Sequence, residues 1–374
     1  MCYGEIIYAC AIARIFGDNF AAARQFLTFA QYPSELFELS KNQLKEIFGN
    51  ENRYSNSILC CEELLRECEK EVEEYRNQNI SIVYIEDGEY PSKLKECADA
   101  PIVLFYKGSA HLNFERAVSI VGTRNATPYG MSACRQIIRQ LSNIGEPKPV
   151  IISGLAYGID ICAHISALES GLPTIAVMGT DIHTIYPALH RRYTEHICSN
   201  GGLLTDFHKG SSIRKVNFVR RNRIIAGLSD AVILIESGEK GGGLITAKMG
   251  FSYDRDVYAL PGRIDDQYSR GCNLMIKSNM ARPITCPQEL IIDLGWQINK
   301  EKGEKSFLKK ISSQDDSLKQ NILLSLTAKK MSSVEELCEM TGANCSEMTV
   351  KLTELELDGL VSSDTNGLYT LEIR

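Results

Sequence analysis

The chain has 374 residues, of which 44% are hydrophobic and 24% are charged. This composition is typical of a globular protein with two or three domains and excludes a disordered or collagen-like chain. No stretch reaches the roughly 20 apolar residues that a membrane span needs, and the first residues lack the pattern of a secretory signal. We therefore predict a cytoplasmic protein that does not span a membrane.

The thirteen cysteines are scattered from Cys2 to Cys345, and their number is odd. They form no C-x-x-C pair and no cysteine–histidine spacing typical of zinc sites. We interpret them as reduced cysteines that serve as small buried hydrophobic residues, and we predict neither a metal site nor a cofactor.

The formal net charge is −6, which by itself disfavours a nucleic-acid binder, but the charge is unevenly distributed. Residues 315–374 contain 11 acidic and 5 basic residues and so account for the whole deficit. The segment His208 to Arg223 contains 6 basic residues and no acidic residue. Because a phosphate backbone responds to local charge, this segment remains a candidate binding surface.

Residues 1–78 have apolar residues at helical spacing, with breaks at Gly17 and Gly49, and predict a helical module of the SAM or helix–hairpin–helix type. The segment Ile12 to Leu27 weakly resembles a DNA-binding hairpin. A packing module is the favoured interpretation.

Residues 79–298 contain short β-branched runs separated by helical stretches, which predicts an α/β domain with a doubly wound, mostly parallel, Rossmann-like sheet. An alternating run over Ile80 to Ile85 and a second run over Ile102 to Tyr106 lead into it. The repeating strands are expected at Val118–Val121, Val150–Ile152, Thr174–Met178, Leu203–Thr205, Ala231–Ile235 and Val257–Leu260.

Residues 299–316 are polar and are predicted to be a linker, and residues 317–374 predict three helices and a hairpin, a winged-helix domain. Its presumed recognition helix, Cys345 to Asp358, carries four acidic residues and one lysine. We therefore favour a protein contact over a DNA contact for this helix.

Glycine-rich loops follow several predicted strands, at the edge where open parallel sheets bind ligands. Glycine turns that lead into helix N-termini bind anions well, so we predict an anion-binding rim. The loops begin at Gly122, Ser153, Gly179, Glu236 and Pro261.

The basic segment Lys215 to Arg223 is the most specific of these signals. If Asn217 caps a helix, Arg220, Arg221 and Arg223 fall in its first turns, where positive charge opposes the helix dipole and a bound anion would relieve it. Phe218 offers a face for base stacking. The alternative is that the arginines pair with carboxylates such as Asp206 or Glu236 and that Phe218 is core, and this alternative is strongest for Arg221.

Catalytic chemistry is disfavoured. Ser153, Asp160 and His164 invite comparison with a triad, but Asp160 and His164 share one helix face and no nucleophile elbow holds the serine. We expect His164 to be a packed, hydrogen-bonded histidine. The P-loop and dinucleotide-binding fingerprints are absent, so we predict no catalytic residue.

These motifs together closely resemble the DprA/Smf family of DNA-processing proteins of natural transformation. The resemblance spans roughly residues 80–285, in order and spacing. It is carried by Ile120–Arg124, Ser153–Asp160 with Ala163-His164, Phe218–Ser229, Leu244–Ala247 and Leu260–Gly262.

The resemblance implies a non-catalytic protein that binds and protects single-stranded DNA, forms a homodimer through its Rossmann-like domain and loads the RecA recombinase onto incoming DNA. By motif position, Arg124 is a pocket residue, Lys215 and Phe218 flank the strand, and Arg220, Asn222 and Arg223 form the arginine-rich helix start. The full predicted DNA-binding set adds Gly122, Thr123, Ser153, Gly154 and Gly243.

Three positions depart from the family pattern. Tyr157 replaces an arginine, which removes one charge from the rim and puts an aromatic ring there. Val219 replaces a proline and Gly243 replaces a serine. These departures bear on the polarity of the pocket and not on the resemblance itself.

Two other classes of function are the alternatives to single-stranded-DNA binding. One is an enzyme that cleaves nucleoside monophosphates at the N-glycosidic bond, whose signature P-G-G-x-G-T does not match Pro261-Gly262-Arg263. The other is a scaffold that binds only proteins, which would fail to retain single-stranded DNA at low salt.

Overall fold

The computed structural model describes residues 3–49, 53–296, 316–329, 331–358, 360–364 and 367–371. The chain divides into two units, Met1–Gln297 and Ile298–Arg374. The predicted linker 299–316 lies outside the described residues except for its last residue. Within the described ranges, no helix has the length and apolar character needed to cross a membrane.

The first unit begins with helices and continues with alternating strands and helices. Gly17 and Gly49, both with positive φ, follow the first and third helices, as their break-forming character predicted. The helices of this unit are α1 (Tyr3–Phe16), α2 (Phe20–Leu27), α3 (Lys41–Phe48), α4 (Arg53–Leu59), α5 (Glu62–Asn77), α6 (Ser92–Lys95), α7 (Pro128–Leu141), α8 (Ile159–Glu169), α9 (Arg191–Ser199), α10 (Lys215–Gly227), α11 (Gly242–Ser252), α12 (Arg270–Lys277) and α13 (Pro287–Asp293), with 3-10 turns at Pro33–Phe37 and Ala188–His190.

Nine strands form one sheet in the first unit; the first eight lie where the apolar runs predicted them, and the ninth, the two-residue β9, was not predicted. They are β1 (Ser81–Tyr84), β2 (Val103–Gly108), β3 (Ala117–Val121), β4 (Val150–Ser153), β5 (Thr174–Val177), β6 (Gly201–Thr205), β7 (Ala231–Leu234), β8 (Asp256–Ala259) and β9 (Arg282–Pro283).

The strand order is β1-β2-β6-β5-β4-β3-β7-β8-β9. β1 pairs antiparallel with β2 and β2 with β6, and every other pairing in this sheet is parallel. From β3 the chain moves outward through β4, β5 and β6, and then returns to the other side of β3 as β7. This reversal of strand order creates a crevice at the carboxyl ends of the central strands.

Hydrophobic cores cover both faces of the sheet, which confirms the predicted doubly wound architecture. On one face, Val118 and Ile120 of β3 pack with α7, α8 and α13. On the other, Ala117 and Val121 belong to a core that includes Ile224 of α10 and residues of α11.

The N-terminal helices share this second core. Ala9, Ile12 and Phe16 of α1 are buried in it, and the ring of Tyr75 in α5 lies 5.2 Å from that of Phe105 in β2. Residues 1–78 and the sheet therefore belong to one unit. The division at residue 78 stays a prediction about sequence regions.

The second unit contains α14 (Ser317–Lys329), α15 (Val334–Thr341), α16 (Cys345–Leu357) and three short strands, β10 (Met331–Ser332), β11 (Val361–Ser363) and β12 (Tyr369–Leu371). The strands form an antiparallel sheet in the order β10-β12-β11. Leu326, Leu337 and Leu352 lie in its core. The winged-helix prediction is confirmed, with β10 as a strand that the sequence did not indicate.

Candidate nucleic-acid interface

A cavity of about 490 Å³ lies at the carboxyl edge of the sheet, at the crevice beside β3. It brings together seven of the eleven residues predicted to bind DNA: Gly122, Thr123, Arg124, Lys215, Phe218, Asn222 and Gly243. We call this the rim pocket. Its lining also includes Ala156, Asp160, Tyr186, Val219, Arg221, Gly241, Gly242 and Thr246.

The loop after β3 holds Arg124 at the surface. Its backbone is anchored where Thr123 N–H donates to the carbonyl of Glu236 at 2.7 Å. The buried Glu236 carboxylate accepts hydrogen bonds from the N–H and the hydroxyl of Thr127, the N-cap of α7. Glu236 therefore supports this loop and is not the partner of an arginine. Arg124 itself is exposed.

Glycines let the loops approach one another closely. A side chain at Gly243 would overlap the backbone of Gly122, and one at Gly158 would overlap the backbone of Thr123 and Arg124. Gly158 also has a φ of +74°, which favours glycine. The glycines thus shape the pocket wall through backbone packing.

Helix α10 begins three residues earlier than predicted, because its N-cap is residue 214 and not residue 217. Its first residue is Lys215, its N-cap is Arg214 without a side-chain cap, and Asn217 lies inside the first turn. The prediction that Asn217 caps the helix is wrong, because its amide donates to the carbonyl of Ser212 at 2.8 Å and is buried there. Arg220 consequently lies in the second turn.

Lys215, Phe218 and Asn222 project from α10 into the rim pocket. Lys215 is exposed and Phe218 is half-buried. The guanidinium of Arg124 lies 5.9 Å from the centroid of the Phe218 ring, within cation–π range. Among the described residues, neither Arg124 nor Lys215 has a carboxylate within ion-pair distance. The two unpaired cations therefore share this pocket with the ring of Phe218.

Arg221 forms the floor of the pocket and is structural, but its partners are backbone carbonyls and not the carboxylates that the alternative interpretation named. It is buried, and its guanidinium donates to the carbonyls of Gly154 (2.6 Å) and Val177. Burial lowers the pKa of Arg221 to about 10. A side chain at Gly154 would overlap this guanidinium. Ser153 is buried and donates to the carbonyl of Ile120 at 2.6 Å, so neither Ser153 nor Gly154 reaches the pocket lining.

Arg223 points away from the rim pocket. Its guanidinium is buried, pairs with Asp206, donates to the carbonyl of Asp99 and lies 3.9 Å from the centroid of the Phe20 ring. The predicted DNA-binding role of Arg223 conflicts with this placement, because its charge is neutralised and covered.

Arg220 lies on the same side of α10 as Arg223. It pairs with Asp18 of the N-terminal helices and lies 3.9 Å from Asp206. Burial, followed by the neighbouring charge of Arg223, lowers the pKa of Arg220 to about 10. It lines a different cavity of about 370 Å³, between α1 and the start of α10. The structure thus places neither Arg220 nor Arg223 in the rim pocket.

His164 is the packed histidine that the sequence predicted. Its Nδ1 lies 2.7 Å from the Thr174 hydroxyl, which itself donates to the carbonyl of Ile151, so Nδ1 carries the proton. Burial, and to a lesser extent the charge of Arg221, lowers the pKa of His164 to about 3. With Ser153 turned toward Ile120, these groups do not form a triad.

Helix α16 of the second unit is as acidic as the sequence predicted, and its only lysine is neutralised. The Lys351 ammonium lies 2.9 Å from the Asp316 carboxylate and 3.1 Å from that of Glu354. The face that a winged helix normally turns to DNA therefore offers no free lysine here.

The sequence named Asp206 as a possible arginine partner, and this carboxylate does pair with Arg223. It did not single out Tyr186, Asp18 or Phe20. Tyr186 lies in the loop after β5, and its ring centroid is 5.2 Å from that of Phe218. Its place at the end of a parallel strand was the signal that would have identified it. The contacts of Asp18 and Phe20 with α10 join distant parts of the chain and leave no local pattern.

Of the twelve described cysteines, six are buried as predicted, four are partly exposed, and Cys60 and Cys345 are exposed. Within the described residues, no group of three or more potential metal ligands comes together.

Two family models match the chain. The model for DNA recombination-mediator protein A matches residues 81–295, and the model for the DprA winged helix domain matches residues 309–367. The first covers the whole sheet and the rim pocket.

Curated relatives carry the corresponding names. The protein Smf of Escherichia coli is 33% identical over 285 residues, 75% of each chain. The DNA processing protein DprA of Streptococcus pneumoniae is 39% identical over 204 residues, 54% of this chain and 71% of the relative.

Solved structures agree with the fold. The X-ray structure of DprA from Streptococcus pneumoniae superposes with a TM-score of 0.63 at 31% identity, covering 78% of this chain and 98% of the other. A structure of the Helicobacter pylori protein, described for its single-stranded-DNA binding mode, gives a TM-score of 0.52 at 30% identity and covers 57% and 95%. The chain belongs to the DNA recombination-mediator protein A family, whose members include DprA and Smf.

Proposed function

We propose that this chain binds single-stranded DNA, without sequence preference, in the rim pocket. The observation that carries the proposal is the placement of two unpaired cations, Arg124 and Lys215, beside the half-buried ring of Phe218 in one cavity. The Helicobacter pylori relative, which is described as binding single-stranded DNA, supports the choice of ligand.

The chemistry of the pocket suits a single strand better than a duplex. Arg124 and Lys215 attract phosphates, and Phe218 gives an unpaired base a surface on which to stack. Stacking uses the π-face that every base has, so it gives affinity with little sequence readout. In a duplex the bases are stacked on each other and cannot reach Phe218.

The roles of the eleven predicted residues are revised accordingly. Arg124, Lys215 and Phe218 are proposed to contact DNA, and Asn222, Gly122, Thr123 and Gly243 to form the pocket wall. We assign Ser153 and Gly154 to positioning, because they pack beneath the pocket. Arg220 and Arg223 are proposed to hold α10 in place.

The wider role follows from family membership. We propose that the chain acts without catalysis in the cytoplasm, protects incoming single-stranded DNA, forms a homodimer through the sheet unit and loads the RecA recombinase during natural transformation. The acidic α16 favours a protein partner for the second unit. Each of these roles rests on the binding of single-stranded DNA.

The direct test is a fluorescence-anisotropy titration of labelled oligo-dT and of duplex of equal length at two salt concentrations. We expect tighter binding of oligo-dT and a log–log salt slope of about −0.7 for each neutralised phosphate. Equal affinity for both would overturn the proposed preference for a single strand. No retention of oligo-dT at low salt would overturn the proposal and favour a protein-binding scaffold. Release of free base from nucleoside monophosphates would indicate the N-glycosidic enzyme instead.

A further inference from the structure

Two exposed tyrosines lie in loops at the carboxyl edge of the sheet. Tyr157 follows β4, and its side chain is 46% exposed. On one side of it Ala156 lines the rim pocket, and on the other Gly158 packs against the backbone of Thr123 and Arg124. Tyr157 therefore stands directly beside the Arg124 loop.

A buried histidine holds Tyr157 in place. The His190 ring is buried and lies edge-on to the Tyr157 ring, with centroids 5.0 Å apart. His190 is itself fixed by a 2.7 Å hydrogen bond between Nδ1 and the carbonyl of Leu155. The Tyr157 ring is therefore nearly half exposed and packs on a buried neighbour, so its exposed part is available to a ligand.

Tyr186 continues the aromatic surface from the pocket. It lines the rim pocket next to Phe218, and 47% of its side chain is exposed. Tyr186 and His190 belong to the same loop between β5 and α9, so the loop that places Tyr186 beside Phe218 is also the loop on which the Tyr157 ring packs.

Two arginines follow this loop directly in the chain. Helix α9 begins with Arg191 and Arg192 immediately after His190, and both side chains are exposed. Arg192 lies over the Tyr193 ring at 4.7 Å. Within the described part of the chain, neither arginine has a carboxylate within ion-pair distance.

We propose that Tyr157 and Tyr186 form a second base-stacking subsite for single-stranded nucleic acid, with Arg191 and Arg192 taking its phosphates. A strand seated on Phe218 would leave the rim pocket across these two rings. This inference rests on the proposed function, since the second subsite extends the first. It assigns a ligand-binding role to Tyr157, where the family pattern has an arginine.

The test compares a short and a long oligo-dT, about 6 and about 16 nucleotides, with wild type and variants. We expect Tyr157→Ala, at a position outside the lining of the rim pocket, to weaken binding of the long oligonucleotide about fivefold or more and to leave binding of the short one nearly unchanged. Tyr157→Phe, which keeps the ring, should restore the affinity. Tyr32→Ala removes a tyrosine of similar exposure (49%) from the N-terminal helices and is the matched control.

The outcomes separate the two proposals. If wild type binds neither oligonucleotide, the proposed function fails. If wild type binds both and Tyr157→Ala binds both as well as wild type does, the first subsite stands and the second is overturned. Equal losses for both lengths in Tyr157→Ala would also overturn it, because Tyr157 would then act on the rim pocket itself. Circular dichroism of each variant confirms that it is folded.

Discussion

The two sides of helix α10 have similar basic residues, but these residues lie in different environments. On the side of the rim pocket, Lys215 and the neighbouring Arg124 have no carboxylate partner among the described residues, and Phe218 is half-buried. On the other side, Arg223 is buried against Asp206 and under the ring of Phe20. The side of the rim pocket therefore has unpaired positive charge for a bound anion, whereas the positive charge of Arg223 on the other side is already paired with Asp206.

The comparison shows that a run of basic residues is not itself a binding surface. The charges between Lys215 and Arg223 are divided by the helix into exposed, half-buried and buried positions. The acidic partners are Asp206 and Asp18, and Asp18 is 202 positions away from Arg220 in the chain. What distinguishes a ligand site here is positive charge left without a partner.

The largest effect is expected for Arg223→Ala. It would leave the buried Asp206 carboxylate without its partner, which costs about 3–5 kcal/mol in comparable buried pairs. Urea unfolding should show this loss, while Lys215→Ala should change stability by less than about 0.5 kcal/mol. A variant that kept full stability and lost oligo-dT affinity would reverse the assignment of the two sides.

The free energy of unfolding should fall in acid because of the buried His164. Its folded pKa of about 3 lies below the value of about 6.5 expected in the unfolded chain, so the unfolded state binds the proton first. The stability contributed by neutral His164 is complete above pH 6.5 and falls as the pH drops toward 3. At pH 5 the loss is about 2 kcal/mol.

Urea unfolding at pH 7 and pH 5 measures this loss. The His164→Asn variant retains a donor near Thr174 and does not titrate, so its stability should depend less on pH than that of the wild type. Identical pH dependence in both proteins would contradict the assignment of a neutral, buried His164.

The two phenylalanines near α10 should separate binding from stability. Phe218→Ala is expected to weaken oligo-dT binding by about 1–3 kcal/mol, the range found for base–aromatic stacking, and to leave stability nearly unchanged. Phe20→Ala should instead lower the free energy of unfolding, because its ring covers Arg223. Anisotropy and urea unfolding on both variants measure the contrast, and exchanged results would refute it.

The smallest effect is expected for Arg220→Ala. Its partner Asp18 is largely exposed, so the loss of stability should be about 1 kcal/mol or less. Oligo-dT affinity should stay within the error of the titration. A large loss of affinity in a fully folded variant would show that this arginine reaches the DNA after all.

Much of the fold could be predicted, because the parallel strands are buried on both faces and appear as β-branched runs in the sequence. The pocket edge could be predicted from the same logic, since parallel strands present their loops together. The start of α10 could not be predicted, because the Asn217 amide donates to the carbonyl of Ser212 and does not cap the helix. The division of the arginines depended on contacts with Asp18 and Phe20, and such long-range contacts have no local signature.

The most direct test compares Arg124→Ala and Lys215→Ala with Arg220→Ala in oligo-dT titrations at several salt concentrations. We expect each of the first two variants to weaken binding of oligo-dT and to reduce the magnitude of the salt slope by about 0.7, the value for one phosphate contact on a single strand. Arg220→Ala should retain the wild-type slope. Unchanged affinity and slope for both Arg124→Ala and Lys215→Ala would show that the strand does not bind in the rim pocket.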